Sequence, residues 1–323
     1  MCGGTNSRPL TTGRRFGVEI NVVICPACSL VYQNPRMNEA ELDEFYEHDY
    51  RRLYSGSADT PTQKFLDEQR QRGARILAFS SPLLKSGGQV LDVGCGAGGA
   101  LLPFRSAGYS VMGLEPGTYG TWGAQNMGLD IRGSRLEALR SDEVAPNLTI
   151  FSFVLEHVSN PLQMLSEARR LAAAGDCVFV EVPNLETLRW TVNHYCGSMD
   201  QYFHVAHLTY FTPVTLSAML RRSGWDVVKI TTEGHYSVSA VAAASQPIPA
   251  ESLTKQLQGN VSAIVALVKD QERRDGAERF ARGVLRPGAR IFKSAAARVV
   301  RRERVDAIIR RCQAALHTVL NFR

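Results

Sequence analysis

An open, doubly wound α/β sheet of seven strands with an antiparallel hairpin at one edge is the fold class this sequence predicts. Three observations predict it. From residue 89 to about 245, short apolar runs alternate with helical stretches, the texture of a parallel sheet covered on both faces. The first of these runs passes directly into a cluster of glycines at 94–99. The last two are separated only by residues 232–236, too few for a crossover, so they pair antiparallel.

The candidate strands are 89–93, 110–114, 129–132, 148–152, 177–182, 225–231 and 237–242. Helical segments at 101–107, 119–127 and 161–171 fall between the early ones. Asn160-Pro161 and Thr212-Pro213 each supply an N-cap followed by proline at the first helical position, where a missing N–H costs nothing. Ahead of the sheet, residues 1–36 are rich in Gly, Pro and Cys, with one β-like run at 18–24. Asn38-Glu39-Ala40-Glu41 then has the form of a capping box, and a second helical run follows at 62–79. Beyond residue 246 the pattern reads as helices broken near Arg286-Pro287-Gly288. The expected organisation is therefore a cysteine-bearing segment (1–36), a helical linker or cap (37–84), the sheet domain (85–245) and a helical extension (246–323).

Composition excludes several classes. Of 323 residues, 44% are apolar and 21% charged, values of an ordinary globular protein. No apolar run approaches the roughly 20 residues that span a bilayer, and the N-terminal stretch lacks the apolar core of a signal peptide, so a cytoplasmic location is expected. The seven cysteines (Cys2, Cys25, Cys28, Cys95, Cys177, Cys196, Cys312) are odd in number and scattered, unlike a disulfide framework. The net charge of +6 is uneven: 251–323 carries sixteen basic against seven acidic residues, a net +9, leaving −3 for the rest. Within that extension Arg298, Arg301, Arg302, Arg304, Arg310 and Arg311 interleave with Val299, Val300, Val305, Ile308 and Ile309. This basic amphipathic helix is expected to keep a solvated face or to touch the inner membrane surface. No nucleic-acid-binding module accompanies it.

The run Val90 to Gly99 is a strand entering a glycine loop and then a helix. Glycines there let a ligand approach the backbone and face the amides that open the helix. Gly94-x-Gly96-x-x-Gly99 also satisfies the dinucleotide pattern, so the loop alone leaves the nucleotide open. Glu115 ends the second strand, where a carboxylate can accept both ribose hydroxyls; it fits either nucleotide.

Three further segments choose between them: Asp92 two residues before the first glycine, Val154-Leu155-Glu156-His157-Val158 after the fourth strand, and Val180-Glu181-Val182-Pro183-Asn184 closing the fifth. This series, Val90 to about Ala244, resembles the class I S-adenosylmethionine-dependent methyltransferases, Rossmann-like in fold. In particular it is similar to a subgroup that methylates sugars and glycans and carries an N-terminal zinc-ribbon-like segment.

The resemblance implies that Asp92, Gly94, Cys95, Gly96 and Gly98 cradle the methionyl part, with Val154 beside it. Glu115 and Pro116 would lie at the ribose, and Ser134, where an acid is commoner, at the adenine. It also implies a structural zinc held by Cys25-Pro-Ala-Cys28 and Cys2. Either a further cysteine precedes Met1, or a ligand such as His48 completes the set, or the metal has been lost. A hydroxyl acceptor must lose a proton, and histidine is the usual base near neutral pH. His157, His204 and His207 are the histidines in segments expected to reach the crevice. His207 matches a recurrent segment of the subgroup. Ala206 stands where C-methylating relatives have Glu, which favours O-methylation of a sugar hydroxyl. An RNA or small-metabolite methyltransferase, a non-catalytic scaffold and an NAD-linked oxidoreductase are the competing readings.

Overall fold

The computed structural model describes residues 1–285 other than 16–17, 51–52, 54–59 and 234–235, and omits the side chains of 254–256 and 278–285. The basic stretch from Arg298 to Arg311 lies outside the described residues.

The central sheet holds seven strands: β4 (Gln89–Val93), β5 (Ser110–Leu114), β6 (Asp130–Arg132), β7 (Leu148–Ser152), β8 (Cys177–Pro183), β10 (Trp225–Thr231) and β11 (Ser237–Ala244). Their order is β10-β11-β8-β7-β4-β5-β6. β11 runs antiparallel to both of its neighbours, and the other pairs that join β6 to β8 are parallel. The expected hairpin is present, with its second strand inserted inside the first. The reason is hydrophobic: β11 is buried along most of its length, whereas β10 is largely exposed, so the apolar strand takes the covered place.

Helices α2 (Gln63–Ser80), α3 (Leu102–Ser106), α4 (Thr118–Met127), α5 (Pro161–Leu171) and α8 (Pro213–Arg222) cover the sheet. Leu91, Phe151, Val180, Val238 and Trp225 form one buried cluster, and Ile76, Leu101, Phe104 and Ile150 another. The caps read from sequence close as expected. Asn160 accepts from Gln163 N–H at 3.2 Å, Thr212 from Thr215 N–H at 3.2 Å, and Asn38 and Glu41 cap each other's backbone at the start of α1 (Glu39–His48).

The first 36 residues contain more sheet than the single run at 18–24 suggests. β1 (Arg8–Arg15), β2 (Val18–Ile24) and β3 (Val31–Gln33) join β9 (Thr209–Tyr210), from the far side of the chain, in the order β1-β2-β3-β9. β1 is missed by pattern because it is polar, RPLTTGRR. Gly13 lets it approach the 203 backbone closely, since a Cβ there would lie 2.2 Å from the Phe203 carbonyl oxygen. This sheet shares a core with Leu42 and Phe45 of α1, with Phe203 and Leu208, and with Ile264 and Val268 of the long helix α9 (Glu251–Leu285). Between the two sheets the chain forms α6 (Leu188–Thr191), a π-helical turn (Val192–Cys196) and α7 (Met199–Tyr202). No helix among the described residues is long and apolar enough to cross a membrane.

Candidate active site

The parallel strands end on one side of the sheet, and their order reverses at β4, where open α/β sheets form a ligand crevice. The turn after β4 lines it. Gly94, Gly96 and Gly98 take φ values of 71°, 57° and 79°, a region that disfavours any side chain. Space excludes side chains as well: a Cβ on Gly94 would lie 2.8 Å from Val154 Cγ2, and one on Gly98 2.6 Å from Leu129 Cδ1. Gly94 and Cys95 N–H both donate to the Leu114 carbonyl, at 2.8 and 3.1 Å.

Glu115 follows immediately and accepts from Gly96 N–H at 3.0 Å and Gly117 N–H at 3.1 Å. Its carboxylate therefore sits at the end of β5, against the glycine loop. The Cys95 side chain is buried against Gly113, whose Cβ would fall 2.5 Å from its sulfur; Cys95 offers the loop its backbone and packs beneath it. Pro116 is exposed just beyond Glu115. Ser134, after β6, has a buried hydroxyl with no hydrogen-bond partner among the described residues. Burial pushes the Asp92 carboxyl up to about 7, against the pull of Arg72.

Two glutamines organise this region without any signal in the local sequence pattern. Gln69 of α2 donates to the Cys95 carbonyl at 2.9 Å and accepts from Gly99 N–H at 3.2 Å, clamping the glycine loop from outside. Gln33 of β3 donates to the carbonyls of His204 and His207 at 2.8 and 2.6 Å. Each acts across a long stretch of chain, and only the folded arrangement reveals it.

Gln33 thereby helps gather the three histidines. The Glu156 carbonyl accepts from Leu208 N–H at 2.7 Å, and His157 Nδ1 donates to the Ala206 carbonyl at 2.8 Å, so the turn after β7 is laced to the segment before β9. The His157 and His207 rings lie 4.9 Å apart, and His204 and His207 4.0 Å. Tyr46, in the last turn of α1, and Tyr50, just beyond it, meet the His157 ring edge to face with ring centres 5.9 and 5.7 Å away. Burial lowers His157 to about 4 and His204 to about 3. Burial, then His204 and His157, hold His207 well below its ordinary value. All three are neutral at physiological pH.

Glu156 is 1% exposed and, among the described residues, neither of its carboxyl oxygens has a hydrogen-bond partner; its Oε1 lies 3.7 Å from His157 Nε2. Burial first, and Glu181 further, push it up to about 8, against Arg72. A carboxyl whose folded pKa lies above its unfolded value of 4.5 contributes full stability below the unfolded value and loses it as pH rises through the folded one. Glu156→Gln is therefore expected to raise the melting temperature at pH 8.5 and to leave it nearly unchanged at pH 4.5. The pH 8.5 gain corresponds to a few kcal/mol in order of magnitude. Equal shifts at both pH values would refute the burial account.

A separate cluster lies where β2 turns into β3. Cys2 Sγ is 3.6 Å from Cys25 Sγ, and with Cys28 the three sulfurs lie within 4.8 Å of one another. Four tetrahedral zinc–sulfur bonds of about 2.3 Å would set sulfurs about 3.8 Å apart, so the trio fits three corners of such a site. It packs on Ala218, Leu253 and Leu257. His48 is not part of it; it is exposed beside Glu47 at 3.9 Å.

A glycine turn at the switch point, an acid at the end of the next strand and a seven-stranded sheet with one inserted antiparallel strand define an S-adenosylmethionine-dependent methyltransferase of class I. Residues 65–230, just over half the chain, match the model of a family described as a methyltransferase domain, and the chain belongs to that family. Among solved structures it is similar to a Pyrococcus horikoshii OT3 protein at 15% identity, covering 61% of this chain and 99% of that one, TM-score 0.49. It is also similar to a Burkholderia thailandensis 1,6-didemethyltoxoflavin-N1-methyltransferase with bound S-adenosylhomocysteine, at 15% identity, 75% and 100% coverage, TM-score 0.47. A magnesium protoporphyrin IX methyltransferase from Synechocystis PCC 6803 gives 16% identity, 64% and 100% coverage, TM-score 0.45. No curated protein matches.

Proposed function

We propose that the protein methylates a hydroxyl of a sugar or glycan, with His207 taking the hydroxyl proton. The observation that carries this reading is the histidine cluster, held neutral by burial and laced to the turn that touches the glycine loop through Val154. S-adenosylmethionine, when bound, supplies an electrophilic methyl carbon on a sulfonium. The glycine loop and Glu115 would hold the donor, with Asp92 at its amino-acid end and the Ser134 hydroxyl at its adenine. The acceptor hydroxyl would take the methyl group, and its proton would pass to the His207 ring. Neutral imidazole is the form that can accept it.

Aromatic rings support a ring-shaped acceptor. Phe153 and Tyr236 stack at 5.8 Å, Tyr195 meets Tyr236 at 5.4 Å, and Trp190 meets Tyr195 at 5.4 Å. Tyr195 is 67% exposed on the π-helical turn, an apolar lip of the kind that binding pockets use for ring faces. Transfer of labelled methyl from S-adenosylmethionine to a panel of nucleotide-sugars, glycans, RNA and small phenols tests the assignment. Label in a sugar fraction, lost in His207→Gln, supports it; label only in RNA or in a phenol overturns it.

We also infer that Cys2, Cys25 and Cys28 hold a structural zinc ion, because three thiols at this spacing are a soft donor set. Zinc near one equivalent is expected in the purified protein. Cys25→Ser should lower both the zinc content and the melting temperature while leaving S-adenosylhomocysteine affinity within about twofold, since the cluster faces α8 and α9 rather than the crevice. Metal-free protein with unchanged melting temperature would refute it.

A further inference from the structure

Glu156, His157 and His207 bring three metal-ligating groups to one point. Each offers a carboxylate oxygen or a ring nitrogen, and these atoms all lie within 4.8 Å of one another. Glu156 and His157 stand on the turn after β7, and His207 on the segment before β9. The backbone ties the two together: the Glu156 carbonyl accepts from Leu208 N–H at 2.7 Å and from Thr209 N–H at 3.2 Å. Gln33 holds the His207 carbonyl at 2.6 Å. The donors are therefore in place before any ligand arrives, which lowers the cost of binding one.

Two further observations aim the donors at a shared ligand. The Ala206 carbonyl can only accept, so His157 Nδ1, at 2.8 Å from it, carries the ring proton. That leaves the lone pair on Nε2, the atom 3.7 Å from Glu156 Oε1. A carbonyl on the far ring nitrogen is how metal-binding histidines are oriented. Glu156 is buried, and among the described residues neither of its oxygens has a hydrogen-bond partner. A carboxyl left in that state is costly, and an ion bridging it to two imidazoles removes the cost. Tetrahedral bonds of about 2.0–2.1 Å set donor atoms about 3.3 Å apart. The Glu156–His157 pair must close by about 0.4 Å, and no pair by more than about 1.5 Å. Side-chain rotation covers such distances.

We propose that these three side chains bind one divalent transition-metal ion of the zinc and cobalt kind, and that the bound ion shuts off methyl transfer by occupying the His207 lone pair. Two imidazoles and one carboxylate suit such ions better than magnesium or calcium, which take oxygen ligands. Metal and proton cannot share one lone pair, so the loaded chain has no free base at this position. The binding stands on the geometry alone; the inhibition rests on His207 as the group that takes the acceptor's proton.

The test is titration of the full chain, stripped with a chelator, with cobalt(II), followed by calorimetry and visible absorption. Cobalt on the cysteine trio announces itself by a thiolate charge-transfer band, which a nitrogen and oxygen site lacks. Two equivalents are expected, one with that band and one without. Glu156→Gln should weaken the second at least about a hundredfold, more than the loss of an outer hydrogen bond to a ligand costs, and should leave the first as in the parent protein. Saturating cobalt(II) should also raise Tm further in the parent than in Glu156→Gln, although the variant is the more stable of the two in alkali without metal. Methyl transfer should fall as the second site fills, with S-adenosylhomocysteine affinity unchanged. Uptake only with the thiolate band, or a second equivalent that Glu156→Gln keeps, overturns the site. Binding that leaves transfer untouched or speeds it overturns the inhibition, and with it His207 as the base. Failure to bind S-adenosylhomocysteine would instead refute the methyltransferase reading, and the cobalt titration would still decide the site.

Discussion

Glu115→Ala is expected to reduce S-adenosylhomocysteine affinity at least about a hundredfold, the largest single loss at the donor site. Two contributions add. A carboxylate that accepts from both ribose hydroxyls makes two charge-assisted hydrogen bonds, each worth about 1.5–3 kcal/mol. The same carboxylate also accepts from Gly96 and Gly117 N–H, so its removal frees the glycine loop that must meet the methionyl part. Calorimetry with S-adenosylhomocysteine measures the total. Glu115→Gln separates the contributions, because the amide keeps one acceptor near the loop and loses the charge. Retained affinity in Glu115→Ala would show that the donor does not lie along this loop.

The second large effect is on turnover. His207→Gln should lower kcat about a hundred- to ten-thousandfold, the usual scale of a lost general base, while S-adenosylhomocysteine affinity stays within about twofold. The glutamine fills much the same space and can still hydrogen-bond, so folding is not the variable. The pH dependence has a definite sign. Since burial and the neighbouring imidazoles hold His207 well below its ordinary value, the neutral base form persists into acid. The acid limb of kcat/KM should therefore fall well below the ordinary histidine value of 6.5. Taking a proton makes a buried imidazolium, and the Glu156 carboxyl, within 4.8 Å, stabilises it as a carboxylate only where pH exceeds about 8. This links turnover to stability: Glu156→Gln, expected to stabilise the fold in alkali, should also lower kcat there. A His207→Gln enzyme with full turnover would move the base to another group.

The sheet was legible because its signals are local and repeated. Burial on both faces gives β4, β7 and β8 short continuous apolar runs, and the connections carry start and stop residues such as Asn160-Pro161. The glycine loop was legible for the same reason. Left-handed backbone at 94, 96 and 98 admits little but glycine, so the conformation is written in the residue type. The trio Cys2, Cys25 and Cys28 could be read from a two-residue gap plus one distant cysteine, and the fold brings all three together. β1 and β3 were not legible, since one is polar and the other three residues long, and neither shows a periodicity.

By itself, then, the sequence determined the class of fold and the left-handed glycine loop with Glu115 at the end of the next strand. Those features depend on residues near one another in the chain, where steric preference and hydrophobic period act directly. The tertiary structure alone decided that β3 pairs with β9, that Gln33 holds the histidine segment in place, and that Gln69 clamps the glycine loop. It also decided that β11 lies inside β10, and that Glu156 and His157 meet His207. Each of these is a contact between segments distant along the chain. Such contacts are set by how whole faces bury and which polar groups are left to satisfy, so no local pattern records them.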